Sequence, residues 1–199
     1  MNVQSHFEQY FMAKDKRETI LQAALELIAE RGFHGAPMSA VAQRASVSAG
    51  IIYHYFTNKD DLIHALYREV EAKLSRALLA GHPQSLPVAE AFQRIWLNAY
   101  QFYRSYPHEA RFLEQYKHSP FYPMPPIESL HGSDLAFIAQ LFEGDTAERP
   151  LKDLPPDVIY ELTLGAAARV AQRRPGDNGV LNEQQLAAIA AACWQAVAR

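Results

Sequence analysis

The sequence predicts an all-α fold of about nine helices, with a small N-terminal helix-turn-helix module followed by a larger helical domain. Three observations lead there. Apolar residues recur at three- and four-residue spacing along most of the chain. The alternating pattern of a half-buried strand is nearly absent. Clusters of Gly and Pro separate the periodic stretches. A composition of 49% hydrophobic and 21% charged residues over 199 positions suits either one large core or a small module joined to a larger one.

Taken in order, Ile20, Ala24, Leu27, Ile28 and Arg31 form one face of a helix from about Lys16 to Arg31. Gly32 follows as a left-handed cap, Phe33 can fold back onto Ile28, and Pro37 closes the connection. Val41, Ala42 and Ala45 mark a short second helix over about 39–45. Ser46-Val47-Ser48 is a three-residue turn, and Ser48 is placed to cap a third helix over about 49–56. Thr57-Asn58 ends it and caps a fourth helix, whose first turn holds Asp60 and Asp61 near the positive dipole end. Leu62, Leu66, Val70 and Leu74 carry that helix to about Leu79; Gly81, Pro83 and Pro87 then break the chain.

The second half reads the same way. Val88–Ser105 is a helix rich in large apolar residues, and Pro107 starts a shorter one ending near Lys117. Ser119–Pro126, "SPFYPMPP", holds four prolines and cannot be helix interior. Helices are expected over 133–142, 156–173 and 182–198, the last two split by a turn at 175–179. The domains divide at 60/61.

Bulk charge excludes one simple argument. The formal total is −3, and the first sixty residues carry six basic and six acidic side chains. If this segment meets DNA, placement must do what abundance does not. No apolar run approaches the roughly 18 residues that span a membrane, so no membrane association is expected. A lone cysteine, Cys193, and no apolar leader suit the cytoplasm.

The third helix carries Tyr53, His54 and Tyr55 in succession, where a core needs only every third or fourth residue. At 100° per residue, Ile52 and Phe56 fall together and face the core. Gly50 and His54 fall opposite, flanked by Ile51 and Tyr53, with Tyr55 at the border. A buried aromatic helix in an ordinary bundle would also explain three adjacent rings. Solvent alone would favour Lys and Glu on the outer face. Coming after a helix-turn-helix, and before Lys59 at a helix N-terminus, the surplus rings fit a DNA groove and its phosphates.

"ILQAALELIAERGFHG" and "MSAVAQRASVSAGIIYHYFTNKDDLIHAL" resemble the N-terminal domain of TetR-family transcriptional regulators, over about Arg17 to Leu66. The resemblance implies DNA contacts from Ser48, Ala49, Gly50 and Ile51 at the start of the recognition helix. It implies phosphate contacts from Tyr53, Tyr55 and Lys59, a phosphate or base contact from His54, and a backbone contact from Ser39. Two positions depart from the family pattern. Ser46 stands where the turn usually has Gly, and Ile51 where Thr is common, so Ile51 can offer only apolar contact, for example to a thymine methyl. The recognition helix has no Arg to assign to guanine.

Further along, Phe92, Trp96, Tyr100 and Tyr103 form a stripe widened by Ile95, Phe102 and Tyr106, and Phe112, Tyr116, Phe121 and Tyr122 continue it. Aromatic stripes commonly fill cores. Buried phenols also need hydroxyl partners, and several in one region suit a lined cavity. The resemblance implies an inducer pocket among these middle helices, which makes Trp96, Tyr100, Tyr103, Phe112, Tyr116 and Phe121 the candidate ligand residues. His108, His118 and His131 with Glu109 and Glu114 lack tight ligand spacing, and the histidines read as surface groups, not as a metal site. No cofactor loop and no nucleophile–base pair is visible, so no enzyme activity and no cofactor is expected.

The last two helices are rich in small residues. Leu186, Ile189, Ala190, Cys193 and Val197 form one apolar face that calls for a partner, with Trp194 beside it. Two such hairpins make a four-helix isologous interface, and the resemblance implies the same homodimer. The expected function is a ligand-responsive regulator on a palindromic DNA operator. In the repressor form, it leaves that operator when a small lipophilic or aromatic molecule binds. An activator, or a same-fold DNA-binding or partner-binding protein with a structural role, stands as the alternative.

Overall fold

The computed structural model describes residues 3–122, 151–173 and 181–199, with side chains from Lys16 onward. The expected helix at 133–142, the prolines at 123–126, His131 and the turn at 175–179 lie outside the described residues. Among the described residues there are eight helices and no strand, apart from one isolated antiparallel bridge between Leu151 and Ala198. No described helix is long and apolar enough to cross a membrane.

Helix α1 spans Val3–Arg31, α2 Met38–Arg44, α3 Ala49–Tyr55 and α4 Lys59–Leu78. Helix α5 spans Val88–Ser105 and α6 Pro107–Lys117. Helix α7 begins as Pro156–Tyr160, passes through a π-helical segment at Glu161–Gly165 and finishes as Ala166–Ala171. Helix α8 spans Glu183–Val197. The first helix is thirteen residues longer than expected at its start, because no Gly or Pro interrupts residues 3–31. The sequence reading took Pro156–Arg173 as uninterrupted α-helix; a π segment leaves no composition signature.

The chain divides into two compact units, and neither is one continuous stretch. The first comprises Met1–Val70 and His108–Pro123; the second comprises Glu71–Pro107 and Met124–Arg199. The expected boundary at 60/61 therefore falls ten residues early. Leu62, Ile63, Leu66 and Val70 of α4 all bury themselves in the first unit's core. That core also holds Ile20, Ala24, Leu27 and Ile28 of α1, Val41 and Ala42 of α2, Ile52, Phe56, and Phe112 and Tyr116 of α6.

Gly32 ends α1 at φ +73° and returns its N–H to the Ile28 carbonyl at 2.8 Å, as the sequence predicts. Phe33 turns toward Phe112 and Phe121, with ring centroids 6.1 and 5.2 Å away. Tyr116 stacks on Tyr67 at 4.3 Å, and its hydroxyl lies 3.3 Å from His64 Nδ1. These rings join the α1–α2 connection, α4 and α6 into one apolar body, where each contact excludes water from its neighbours.

In the second unit, α5 turns Phe92, Ile95, Trp96, Ala99, Tyr100, Phe102 and Tyr103 inward. Tyr106, expected on that stripe, is instead exposed at the helix end, where Lys73 Nζ sits 3.6 Å from its ring centre. A capping box at Asn182 and Gln185 starts α8. Lys152 closes its other end by donating Nζ to the carbonyls of Gln195 and Ala196 at 3.0 and 2.8 Å. Of the apolar face expected on α8, Ala190 and Val197 are fully buried within the unit. Leu186, Ile189 and Cys193 of that face stay half-buried, and Ala187, Ala188, Ala192 and Ala196 are the small residues α8 leaves exposed.

Candidate nucleic-acid interface

Helices α2 and α3 meet through a turn made by the backbone. Ser46 N–H donates to Gln43 O at 3.1 Å, and Val47 N–H donates to Ala42 O at 2.9 Å. Ser46 takes φ +55° to do so, in the left-handed region that an L side chain resists. Ser48 then caps α3, its Oγ accepting the Ile51 N–H at 3.3 Å. Ser46→Gly should relieve the turn. After the extra backbone freedom that Gly gains when unfolded, the net stabilisation should be about 0.5–1 kcal/mol, read as a raised urea midpoint at unchanged slope. A loss of stability would mean the Ser46 side chain does something the backbone angles do not reveal.

On α3 the inward pair is Ile52 and Phe56, both buried. Ser48, Ala49, Gly50 and His54 are exposed, and Tyr53 is 56% exposed. Ile51 and Tyr55 are half-buried, packed against the edge of the core while keeping an outer surface. His54 meets Tyr55 edge-on at 5.1 Å. Ser39 is exposed near the start of α2. The exposed or half-exposed surface from 48 to 55 is thus small at its N-terminal end and aromatic at its C-terminal end. Such a ridge can enter a groove closely and offer phenol and imidazole donors to phosphates.

Lys59 is placed differently from the others. It is half-buried, and its Nζ donates to the Phe33 carbonyl just beyond the α1 cap. Asn58 Oδ1 accepts the Asp61 N–H at 2.8 Å, and Asp61 Oδ2 accepts the Thr57 N–H at 2.9 Å, which fixes the start of α4. Lys59 therefore ties the opening of α4 to the end of α1.

Sequence reasoning missed the clamp that sets α2. Arg44 reaches Glu26 at 3.2 Å and Glu30 at 3.0 Å on α1. The hydrogen bond from Arg44 holds the Glu30 carboxyl below the usual carboxylate range, and the same contact raises the guanidinium. Two glutamates four apart on the outer face of α1, with an Arg ending α2, were the available signal. Arg17 acts similarly at the far end, bonding Glu69 at 3.0 Å while lying 5.7 Å over the Phe56 ring.

The six candidate ligand residues fall in two groups. Trp96, Tyr100 and Tyr103 lie on the buried side of α5 in the second unit, and the Trp96 and Tyr100 rings are parallel within 3°. Phe112, Tyr116 and Phe121 belong to the first unit, where Phe112 and Tyr116 are core and Phe121 packs against it. Trp96 is fully buried, and its Nε1 meets no hydrogen-bond partner among the described residues. On α8 burial pushes the Cys193 thiol up, against a smaller opposing pull from the Trp96 indole, for which the sulfur is at best a weak acceptor.

Comparisons with known proteins bear on both units. Residues 20–66 match the bacterial regulatory proteins of the tetR family, and residues 87–198 match a tetracyclin repressor-like C-terminal domain. Among curated proteins, the HTH-type transcriptional regulator BetI of Escherichia coli is 39% identical over 84 residues. That match spans 42% of this chain and 43% of BetI, so less than half of that relative's length is represented. Among solved structures, a TetR-family transcriptional regulator from Vibrio parahaemolyticus is 28% identical, with a TM-score of 0.75 over 92% of this chain and 99% of that one. A TetR-family regulator from Haemophilus influenzae is 25% identical, with a TM-score of 0.74 over 94% and 98%. A further one from Marinobacter aquaeolei, 19% identical with a TM-score of 0.80 over 96% and 98%, shares the fold.

Proposed function

This chain belongs to the tetR family of bacterial regulatory proteins, and from that premise we propose that it represses transcription as a homodimer on a palindromic operator until a small molecule releases it. One observation carries the DNA part. A capped turn presents an outer face of α3 holding Ser48, Ala49, Gly50, Ile51, Tyr53, His54 and Tyr55, with no acidic residue between Met38 and Lys59. Ser39 adds a backbone contact from α2. Lys59 serves the phosphate backbone from α4, either directly on release from Phe33 or by holding the helix start.

The dimer forms through α7 and α8. Val158, Tyr160 and Leu162 are large apolar side chains that α7 leaves exposed, and the exposed alanines of α8 allow close approach of a second copy. The effector is a small lipophilic or aromatic molecule bound by residues drawn from Trp96, Tyr100, Tyr103, Phe112, Tyr116 and Phe121. The Trp96 indole N–H, which meets no strong acceptor among the described residues, favours one with a hydrogen-bond acceptor. Its binding shifts the dimer toward a spacing that no longer fits the operator.

Selection from a randomised duplex pool tests the reading. Enrichment of inverted repeats with half-sites about 34 Å apart, or a multiple of that, is expected. A pool that stays random supports the structural DNA-binding alternative. On a selected duplex, Tyr53→Phe should weaken binding by about 0.5–1.5 kcal/mol for each lost neutral hydrogen bond, equally across sequence variants. A loss confined to some sequences would move Tyr53 from the phosphates to the bases.

A further inference from the structure

We propose that α7 recognises α7 of a second copy in the antiparallel sense, crossing at Gly165, with Glu161 of each subunit set against the partner's Arg169. The inference rests on the reading of the protein as a homodimer through α7 and α8, and adds the orientation and the residues that select it. Its ground is the order of residues along α7. From Asp157 the chain repeats every four positions: Asp157, Glu161, Gly165, Arg169 and Arg173 form one row, and Ile159, Thr163, Ala167 and Ala171 another. A regular helix cannot keep such rows straight. At about 100° per residue each four-residue step overshoots by about 40°, which would carry Ala171 about 120° around from Ile159. Yet Ile159, Thr163, Ala167 and Ala171 are all buried. The π turn at Glu161–Gly165 is wider than an α turn and takes back most of that drift. Inside it Thr163 Oγ1 donates to the Ile159 carbonyl at 2.6 Å. A Cβ added at Gly165 would stand 2.9 Å from Glu161 Oε2 and 3.1 Å from the Tyr160 carbonyl oxygen, so the turn has room there only for Gly.

The row opposite the buried one faces outward, and Asp157, Glu161, Arg169 and Arg173 are all exposed. Its charges are antisymmetric about Gly165. Glu161 and Arg169 stand equally far to either side of the glycine, and so do Asp157 and Arg173, which lies just past the helix end. An antiparallel copy crossing at Gly165 sets each acid against a base of the other subunit. A parallel copy sets like against like. Size runs the same way. Tyr160, Leu162 and Leu164 precede the glycine, and Ala166, Ala168 and Val170 follow it. The antiparallel register therefore places Leu162 against the partner's Ala168 and Leu164 against the partner's Ala166, large beside small. Gly165 lets the two backbones approach where they cross. Like charges brought together across an interface are costly, so the row rejects the wrong orientation as well as favouring the right one.

The test uses the full-length protein and two charge reversals, Glu161→Arg and Arg169→Glu, with sedimentation equilibrium at low salt. Wild type should be dimeric. Each variant alone faces like with like at both symmetric pairs, and its dimer should weaken about ten- to hundredfold. An equimolar mixture of the two variants should dimerise again, because the mixed dimer opposes unlike charges at both pairs. With one variant isotopically labelled, native mass spectrometry should find the mixed dimer well above the random half. An effect confined to one chain cannot be repaired by mixing. Circular dichroism checks that each variant is folded. Should a reversal unfold the chain, Glu161→Gln and Arg169→Gln take its place. Each should weaken the dimer about two- to fivefold, and the double variant no more than either one, because both remove the same pairs. Reversals that dimerise like wild type, a mixture that stays monomeric, or additive effects of the two Gln substitutions overturn the inference while the dimer reading stands. If wild type is itself monomeric, the dimer reading falls and takes this inference with it.

Discussion

Phe112→Ala is expected to cripple DNA binding, although the residue lies more than fifty positions beyond the recognition helix. Its side chain is fully buried in the core that also holds Ile52 and Phe56. Removing the ring from so dense a site costs about 3–5 kcal/mol, the lost transfer energy plus the cavity left behind. That is a large share of the stability of any small unit. Urea denaturation should show an early transition for the first unit, and operator affinity should fall with it. The outcome also decides how Phe112 is used. If the variant remains stable and binds its operator, but no longer responds to effector, Phe112 lines a ligand site and is not a core residue of the DNA-facing unit.

Adjacent isoleucines should then separate folding from recognition. Ile52 is 1% exposed. Ile52→Ala should cost about 2–5 kcal/mol and lower affinity for every duplex, because less of the protein is folded. Ile51 is half-buried and leaves part of its surface at the outer edge of α3. Ile51→Ala should cost less than about 1.5 kcal/mol of stability, by its smaller burial. Its binding loss should concentrate at one symmetric pair of operator positions, as an apolar contact to a thymine methyl would require, with the salt slope unchanged. Were both substitutions to lower stability alike and leave sequence preference alone, α3 would have to be rotated from the orientation described here.

The extent to which these features could be read from sequence depended on what local pattern can encode. Helix α5 was predicted at its observed bounds, because Pro87 and Pro107 bracket an unbroken apolar period. The inward turn of Ile52 and Phe56 followed from helix geometry alone, and the strained Ser46 from the residue type the turn prefers. Periodicity says which face of a helix is buried, but not against what. Phe112 and Tyr116 therefore read as a continuation of the α5 stripe, whereas the fold gives them to the first unit. The same blindness hid the Arg44 clamp and the tie from Lys59 to Phe33, which depend on side chains meeting across separate helices. On α8 periodicity picked out the apolar face, but not that Ala190 and Val197 would be covered within their own unit while Leu186, Ile189 and Cys193 stay half-buried.

The two-part construction of the first unit also bears on how the protein is made and recombined. A chain leaving the ribosome exposes α1 to α4 well before α6, and at about 5–20 residues per second the interval between Val70 and Lys117 lasts several seconds. Through that interval the early helices lack Phe112 and Tyr116, and the apolar faces of Phe33, His64 and Tyr67 wait uncovered. Nascent chains stalled near residue 70 should be digested readily by protease, and those stalled after α6 has cleared the exit tunnel should not. The same discontinuity limits exchange between relatives. A chimaera that inherits only residues 1–70 from this protein receives a recognition surface without part of its support, and a working transplant must carry 108–123 as well.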